Sequence, residues 1–159
     1  MNLRLTDAPF DDAMAVLVTF SEVSVHLDTD ADFTPLPFAG GGGARTCDLK
    51  KLQDTSDVLG VGTVEAGHYS QVRLTVSSAT LYFDNPSTGD PCAPTIEAPA
   101  GASAALDIPS GVVRLNRQFT VPEGGATTML LDFDGARSIT ETGNGSFRMT
   151  PVIEVVSVE

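Results

Sequence analysis

Carboxylates are the side chains of this sequence whose type and spacing best suit a chemical role. One cluster lies near the start of the chain and another on a later strand-like segment; the candidate calcium ligands are Asp7, Asp11, Asp12, Asp132 and Asp134. If the start of the chain pairs beside the segment of Asp132 and Asp134, these two carboxylates meet Asp7 at one end of the fold. Close carboxylates raise one another's pKa unless a cation or an arginine neutralises them. The cluster therefore predicts either a calcium site or a network centred on Arg137, and the arginine network is favoured.

A third group of carboxylates, Asp28, Asp30 and Asp32, has the spacing that opens an EF-hand calcium loop. Such a loop needs Gly at its sixth position and a bidentate Glu at its twelfth. Phe33 and Ala39 occupy these two positions, so an EF-hand is excluded. A looser calcium-binding loop in this segment stays open as an alternative.

Features of nucleophilic catalysis are scarce in this sequence. It contains no G-x-S-x-G elbow, and its two histidines, His26 and His68, are predicted to face solvent. The run from Gly40 to Gly43 is not followed by the Gly-Lys-Ser/Thr of a phosphate-binding loop. Paired carboxylates can catalyse glycoside hydrolysis, but the sequence gives no sign of a cleft. We therefore expect no enzyme activity and no catalytic residues.

The two cysteines, Cys47 and Cys92, are predicted to form a disulfide. They are not arranged in the spacing of a zinc site, and both lie in loop-like sequence. A bond between them would close a loop of about 45 residues, which the loop-entropy account credits with roughly 4 kcal/mol. Two separate thiols remain the alternative. A disulfide would place the chain in an oxidising compartment.

Charge and hydropathy limit the partners of the chain. Its formal charge of −12, from 21 acidic and 9 basic residues, repels phosphate backbones, so nucleic acid is not expected as a partner. The sequence contains neither an apolar run long enough to span a membrane nor a signal peptide. We expect that the sequence begins where a mature exported domain begins, so that a membrane is reached only through a lipid anchor outside it.

Short period-2 segments separated by turn residues predict strands throughout the chain. The longest covers about residues 14–27, where the apolar phase changes between Phe20 and Val23, which predicts a β-bulge near Ser21 and Glu22. Only residues 47–60 suit a short helical turn. The pattern predicts one all-β domain over residues 1–159, an antiparallel two-sheet β-sandwich of seven to nine strands. We expect Greek-key, immunoglobulin-like or transthyretin-like connections and a loop insertion at about 85–103.

Five segments of the chain, in order, resemble domain-of-unknown-function family 4382, which is found in bacterial and archaeal surface proteins. They are Leu5 to Pro9, Ala66 to Leu74, Pro109 to Gly111, Leu131 to Asp134, and Pro151 to Ile153. The resemblance implies a domain that follows a lipoprotein-type signal peptide and is tethered at the cell surface or in the periplasm. It implies no activity and no catalytic residues. The insertion at 85–103, which holds Cys92, departs from the family pattern.

The residues and the resemblance together predict a non-enzymatic surface or periplasmic module that binds or scaffolds an extracellular protein or glycan. One alternative is an adhesion or glycan-binding domain that is stabilised by calcium. A second alternative is an accessory subunit of a surface assembly, which pairs with its partner through an exposed strand edge.

Overall fold

The computed structural model describes residues 1–8, 12–143 and 145–159, and almost all of its regular structure is β-strand. The described residues contain thirteen strands, one short α-helix, α1, and one 3-10 helix. The bounds are β1 (Asn2–Ala8), β2 (Ala15–Leu27), β3 (Thr34–Pro35), β4 (Arg45–Asp48), the 3-10 helix (Leu49–Leu52), β5 (Asp57–Val61), β6 (Gly67–Tyr82), β7 (Cys92–Ala93), β8 (Ser103–Asp107), β9 (Val112–Val121), β10 (Thr128–Asp134), α1 (Gly135–Ser138), β11 (Ile139–Gly143), β12 (Ser146–Met149) and β13 (Ile153–Val158).

The strands form two sheets that pack against each other, which confirms the predicted all-β sandwich. The smaller sheet has the order β13-β10-β1-β5. The larger sheet follows β11-β12-β8-β6-β2-β4-β7, with β3 added beside β2 and β9 beside β6. The described strands outnumber the seven to nine that were expected. Part of the excess lies in segments that the sequence presents as loops, where the two-residue strands β3 and β7 are too short to show a period.

Two strand pairs are parallel, whereas the sequence predicted antiparallel sheets. Strand β1 runs parallel to β10, and β12 runs parallel to β8. A period-2 pattern shows which side chains face inward but carries no information on strand direction, so this feature could not be predicted. The parallel pairing of β1 and β10 brings the carboxyl ends of both strands to the same edge of the smaller sheet.

The antiparallel pair of β2 and β6 forms the centre of the larger sheet. Its register shifts between Phe20 and Glu22, so that Ser21 has no partner in the ladder. The apolar residues before and after this position, from Val16 to Phe20 and from Val23 to Leu27, nevertheless remain buried. The predicted β-bulge is therefore confirmed, because the extra residue restores the inward phase of the strand.

The core lies between the sheets and is built from alternating residues of the central strands. Leu3 and Leu5 of β1 and Leu131 of β10 are fully buried. Phe133 of the smaller sheet meets Phe20 of the larger sheet edge to face, with 6.2 Å between the ring centroids. This contact joins the two layers close to the edge at which β1 and β10 end.

The one predicted helical turn is present as the 3-10 helix that follows β4. Asp48 caps it, since its Oδ1 accepts a hydrogen bond of 3.1 Å from the amide of Lys50. Among the described residues, no helix is long and apolar enough to cross a membrane.

Candidate functional site

Three of the five predicted carboxylates, those of Asp7, Asp132 and Asp134, lie near the carboxyl ends of β1 and β10. Strand β1 lies beside β10, with Asp7 opposite Phe133 in the register and its neighbour Ala8 opposite Asp134. The side chains nevertheless leave the sheet in different directions. Asp7 continues the buried row of Leu5, whereas Asp132 and Asp134 belong to the less buried row of β10. The cluster is therefore divided between the inner and the outer face of the smaller sheet.

Asp7 is the buried member of this cluster, with a relative exposure of 6%. Its Oδ1 accepts a hydrogen bond of 2.9 Å from the amide of Gly135, and its Oδ2 has no hydrogen-bond partner among the described residues. Burial raises the pKa of Asp7 from 3.8 to about 8, against the hydrogen bond from Gly135 and the charge of Lys50, which lower it. The charges of Asp132 and Asp134 add to the increase. Asp7 is therefore mostly protonated at neutral pH.

Arg137 forms a surface network on the outer side of the cluster. Its amide donates to Asp134 Oδ1 at 3.0 Å. Its guanidinium Nη1 lies 3.9 Å from Asp134 Oδ2 and 3.6 Å from Glu154 Oε1, and the side chain is 65% exposed. Arg137 thus compensates the charges of Asp134 and Glu154, which is part of the arginine network that the sequence favoured. It does not contact the buried carboxylate of Asp7.

The calcium site stays a prediction. Asp12 is exposed, and Asp11 lies outside the described residues. Within the described ranges, no group of three or more His, Cys, Asp or Glu side chains is placed to hold a metal ion. Asp28, Asp30 and Asp32 are all exposed.

His26 contributes to loop packing. It is half-buried, its Nδ1 lies 3.3 Å from Ser70 Oγ, and its ring lies 5.0 Å from that of Phe33. The guanidinium of Arg73 lies 4.2 Å from the centre of the same Phe33 ring and pairs with Glu22 at 2.7 Å. The expectation that His26 faces solvent was incomplete, because Phe33 folds back from its loop and covers this part of β2.

The second histidine, His68, lies between the side chains of Asp28 and Thr120, an arrangement that the sequence spacing did not reveal. His68 Nε2 lies 3.6 Å from Asp28 Oδ2, and its Nδ1 lies 3.4 Å from Thr120 Oγ1. The order acid, imidazole and hydroxyl is that of a hydrolytic triad. However, the side chains of His68 and Asp28 are 47% and 41% exposed, and both distances exceed those of well-formed hydrogen bonds. Water competes for each group, so the geometry gives no support for catalysis.

The predicted disulfide between Cys47 and Cys92 is present. It joins β4 to β7, where the two cysteines are directly paired, and both are buried. Strand β7 lies within the segment 85–103, so the disulfide attaches this insertion to the larger sheet. Within the insertion Ser87 and Cys92 are buried, whereas most of its other residues are exposed.

Buried polar side chains hold the same insertion independently of the disulfide. Arg45 is 7% exposed and donates to the carbonyl oxygens of Ala39, Val58 and Cys92 at 2.7, 2.9 and 3.2 Å. Asp48 is fully buried, and its Oδ2 accepts a hydrogen bond from Ser87 Oγ at 2.5 Å. Neither role was predicted, because a single arginine or aspartate next to a cysteine has no distinguishing pattern.

These features define an all-β sandwich domain with a disulfide-linked insertion and a divided carboxylate cluster. Residues 1–151 match the family model described as a domain of unknown function (DUF4382). The chain therefore belongs to this family, as the five segments of its sequence indicated. No curated protein and no solved structure matches the chain.

Proposed function

We propose that the protein is a non-enzymatic binding or scaffold module that works outside the cytoplasm, at the cell surface or in the periplasm. The observation that carries this proposal is the disulfide between Cys47 and Cys92. Structural disulfides form and persist in oxidising compartments and are rare in the cytosol. The charge of −12 suits a domain that stays dissolved beside other surface components.

The way in which the insertion is attached supports a scaffold role. The disulfide, Arg45 and the contact of Asp48 with Ser87 all fix the segment 85–103 to the sandwich. A rigid extension can present a surface to a partner with little loss of conformational entropy on binding. We propose an extracellular protein or a glycan as that partner, and a lipid anchor in the full-length precursor.

Fractionation of cells that make the full-length protein tests the proposal. The protein should appear in the surface or periplasmic fraction, and it should react with a maleimide polymer in denaturant only after reduction. If a lipid is attached, the processed protein should enter the detergent phase in a detergent phase-separation experiment. A variant with Cys47→Ser and Cys92→Ser provides the unlabelled control. Cytoplasmic protein with two reactive thiols would refute export.

Stabilisation by calcium is a second candidate, and the buried Oδ2 of Asp7 favours it. A cation near this oxygen would compensate the charge of Asp7, whose pKa is raised mainly by burial and further by the charges of Asp132 and Asp134. Thermal melting in EDTA and in millimolar calcium tests this role. A site filled at about 100 times its dissociation constant should add roughly 2.7 kcal/mol to the stability. Equal melting temperatures in the two buffers would exclude a stabilising calcium ion.

Pairing through a strand edge has less support as a function. Among the described strands, β9 pairs only with β6 and β13 only with β10, and the two strands also contact each other. Strand β9 carries the exposed residues Arg114 and Arg117, and the register of β13 shifts at Val156. Charges and bulges of this kind disfavour edge-to-edge pairing.

A further inference from the structure

A cleft lies on the outer face of the smaller sheet, beside the loop that connects the 3-10 helix to β5. Its volume is about 370 Å³, and it is lined by Thr6, Asp54, Thr55, Ser56 and Leu130. This volume is that of a small-ligand site, although the cleft is shallow and largely open to solvent. The cleft is distinct from the buried carboxylate of Asp7, which faces the opposite side of β1.

The loop that forms one wall of the cleft is fixed to β1 at several points. Arg4 donates from Nε to Ser56 Oγ at 2.9 Å and from Nη2 to the Ser56 carbonyl at 3.1 Å. The hydroxyl of Thr6 lies within hydrogen-bond distance of the carbonyl oxygens of Leu52 and Thr55. Gln53 forms a parallel bridge with Asp7. The wall is therefore preorganised, which lowers the entropy cost of binding a ligand.

Asp54 is the acidic residue of this loop, and its carboxylate has no contact with the described residues that stabilises the fold. Its φ of +59° lies in the left-handed region, where among the described residues only glycines otherwise occur. The side chain is exposed, and no hydrogen bond from the described residues reaches its carboxylate. The loop thus presents a solvent-exposed carboxylate beside the half-buried, apolar side chain of Leu130.

We propose that this cleft binds one pyranose ring of a neutral glycan. The hydroxyl groups of a sugar ring donate to a carboxylate, and Asp54 supplies two acceptor oxygens. The apolar face of the ring packs on an aliphatic side chain, which Leu130 provides in the floor of the cleft. The charge of −12 disfavours anionic glycans. This binding requires neither export nor the disulfide, so its failure and the failure of the proposed function are distinguishable.

Titration of the isotope-labelled protein with neutral methyl glycosides tests the proposal by NMR. Methyl glycosides of glucose, galactose, mannose and N-acetylglucosamine are added up to roughly 50 mM, which saturates a site with a dissociation constant of about 1 mM. At least one of them should give saturable shifts at the amides of Thr6, Thr55, Ser56 and Leu130. Absence of saturable shifts with all four sugars, or shifts only at another surface, would overturn the proposal.

Two variants establish whether the shifts come from the proposed contacts. Asp54→Asn tolerates the left-handed backbone and removes the charge, so it should weaken binding by roughly ten-fold. Leu130→Thr keeps a strand-forming side chain and reduces the apolar floor, so it should also weaken binding. Asp90→Asn, an exposed change on the insertion, is the matched control and should leave the titration unchanged. Equal affinity in Asp54→Asn and the unmodified protein would contradict the role of the carboxylate.

Discussion

The carboxylate of Asp7 accepts a hydrogen bond from the amide of Gly135, which lies 128 residues further along the chain. This bond connects the end of β1 to the first residue of α1, where the chain leaves the smaller sheet. Its acceptor is nevertheless a buried acid whose second oxygen has no partner among the described residues. The junction is therefore stable only while Asp7 is protonated or otherwise compensated.

The first prediction concerns the pH dependence of stability. The pKa of Asp7 is about 8 in the folded protein and 3.8 in the unfolded chain. The protonated side chain therefore contributes its full share to the stability below pH 3.8, and this share is lost as the pH rises towards 8. Over this window the protein should lose stability relative to Asp7→Asn, by at most about 1.4 kcal/mol per pH unit. Urea unfolding of both proteins between pH 4.5 and 8.5 measures the difference. The stability of Asp90→Asn should follow that of the unmodified protein at every pH. If the stability of Asp7→Asn also runs parallel to that of the unmodified protein, the raised pKa is contradicted.

The second prediction concerns Gly111, where the chain passes close to β6. A Cβ atom at this position would lie 2.0 Å from the carbonyl oxygen of Val76, and the amide of Val76 donates to the carbonyl of Gly111 at 2.8 Å. Gly111→Ala must displace backbone, so it should destabilise the domain by about 2 kcal/mol or more. Gly43→Ala is the control, because a Cβ atom added at Gly43 has no atom of the described residues within 4 Å beyond this glycine and its chain neighbours. A similar unfolding midpoint for both variants would show that β6 can move aside.

The third prediction concerns the disulfide. Replacing Cys47 and Cys92 by alanine removes a link across 45 residues and should cost about 4 kcal/mol in the unfolding free energy, measured by urea denaturation. The insertion should remain attached in the native state, because Arg45 and Asp48 still contact it. Proteolysis under native conditions checks this point. Rapid cleavage within 85–103 would mean that the disulfide alone holds the insertion.

Inward-facing residues of the longer strands could be predicted because their apolar spacing reports burial directly. The bulge beside Ser21 is the clearest case, since the change of phase between Phe20 and Val23 requires one extra residue. The information lies in a side-chain pattern along one strand. The adjacency of Asp7 to the segment of Asp134 was only a condition of the proposed carboxylate cluster, and the register of β1 and β10 meets that condition.

Neither the direction of the strands nor the inward position of Asp7 was predicted. The parallel pairing of β1 with β10 depends on long connections, which have no local signal. Asp7 follows the apolar row of Leu3 and Leu5, and this alternation would have placed it inward, but an acid at the end of a row is more often exposed. Arg45 is a similar case, because its three acceptors come from distant segments that only the folded chain brings together.

The fourth prediction compares two arginines of the larger sheet. Arg45 is buried and donates to three carbonyl oxygens, so Arg45→Met leaves these acceptors without a donor and should cost about 3 kcal/mol or more. Arg73 pairs with Glu22 and lies over the ring of Phe33, with its side chain 26% exposed, and Arg73→Met should cost less, about 1 to 2 kcal/mol. Both changes remove one positive charge from strand residues and add the same side chain. The difference in urea midpoints therefore compares the buried hydrogen bonds of Arg45 with the partly exposed contacts of Arg73, and equal midpoints would show that water replaces the guanidinium of Arg45.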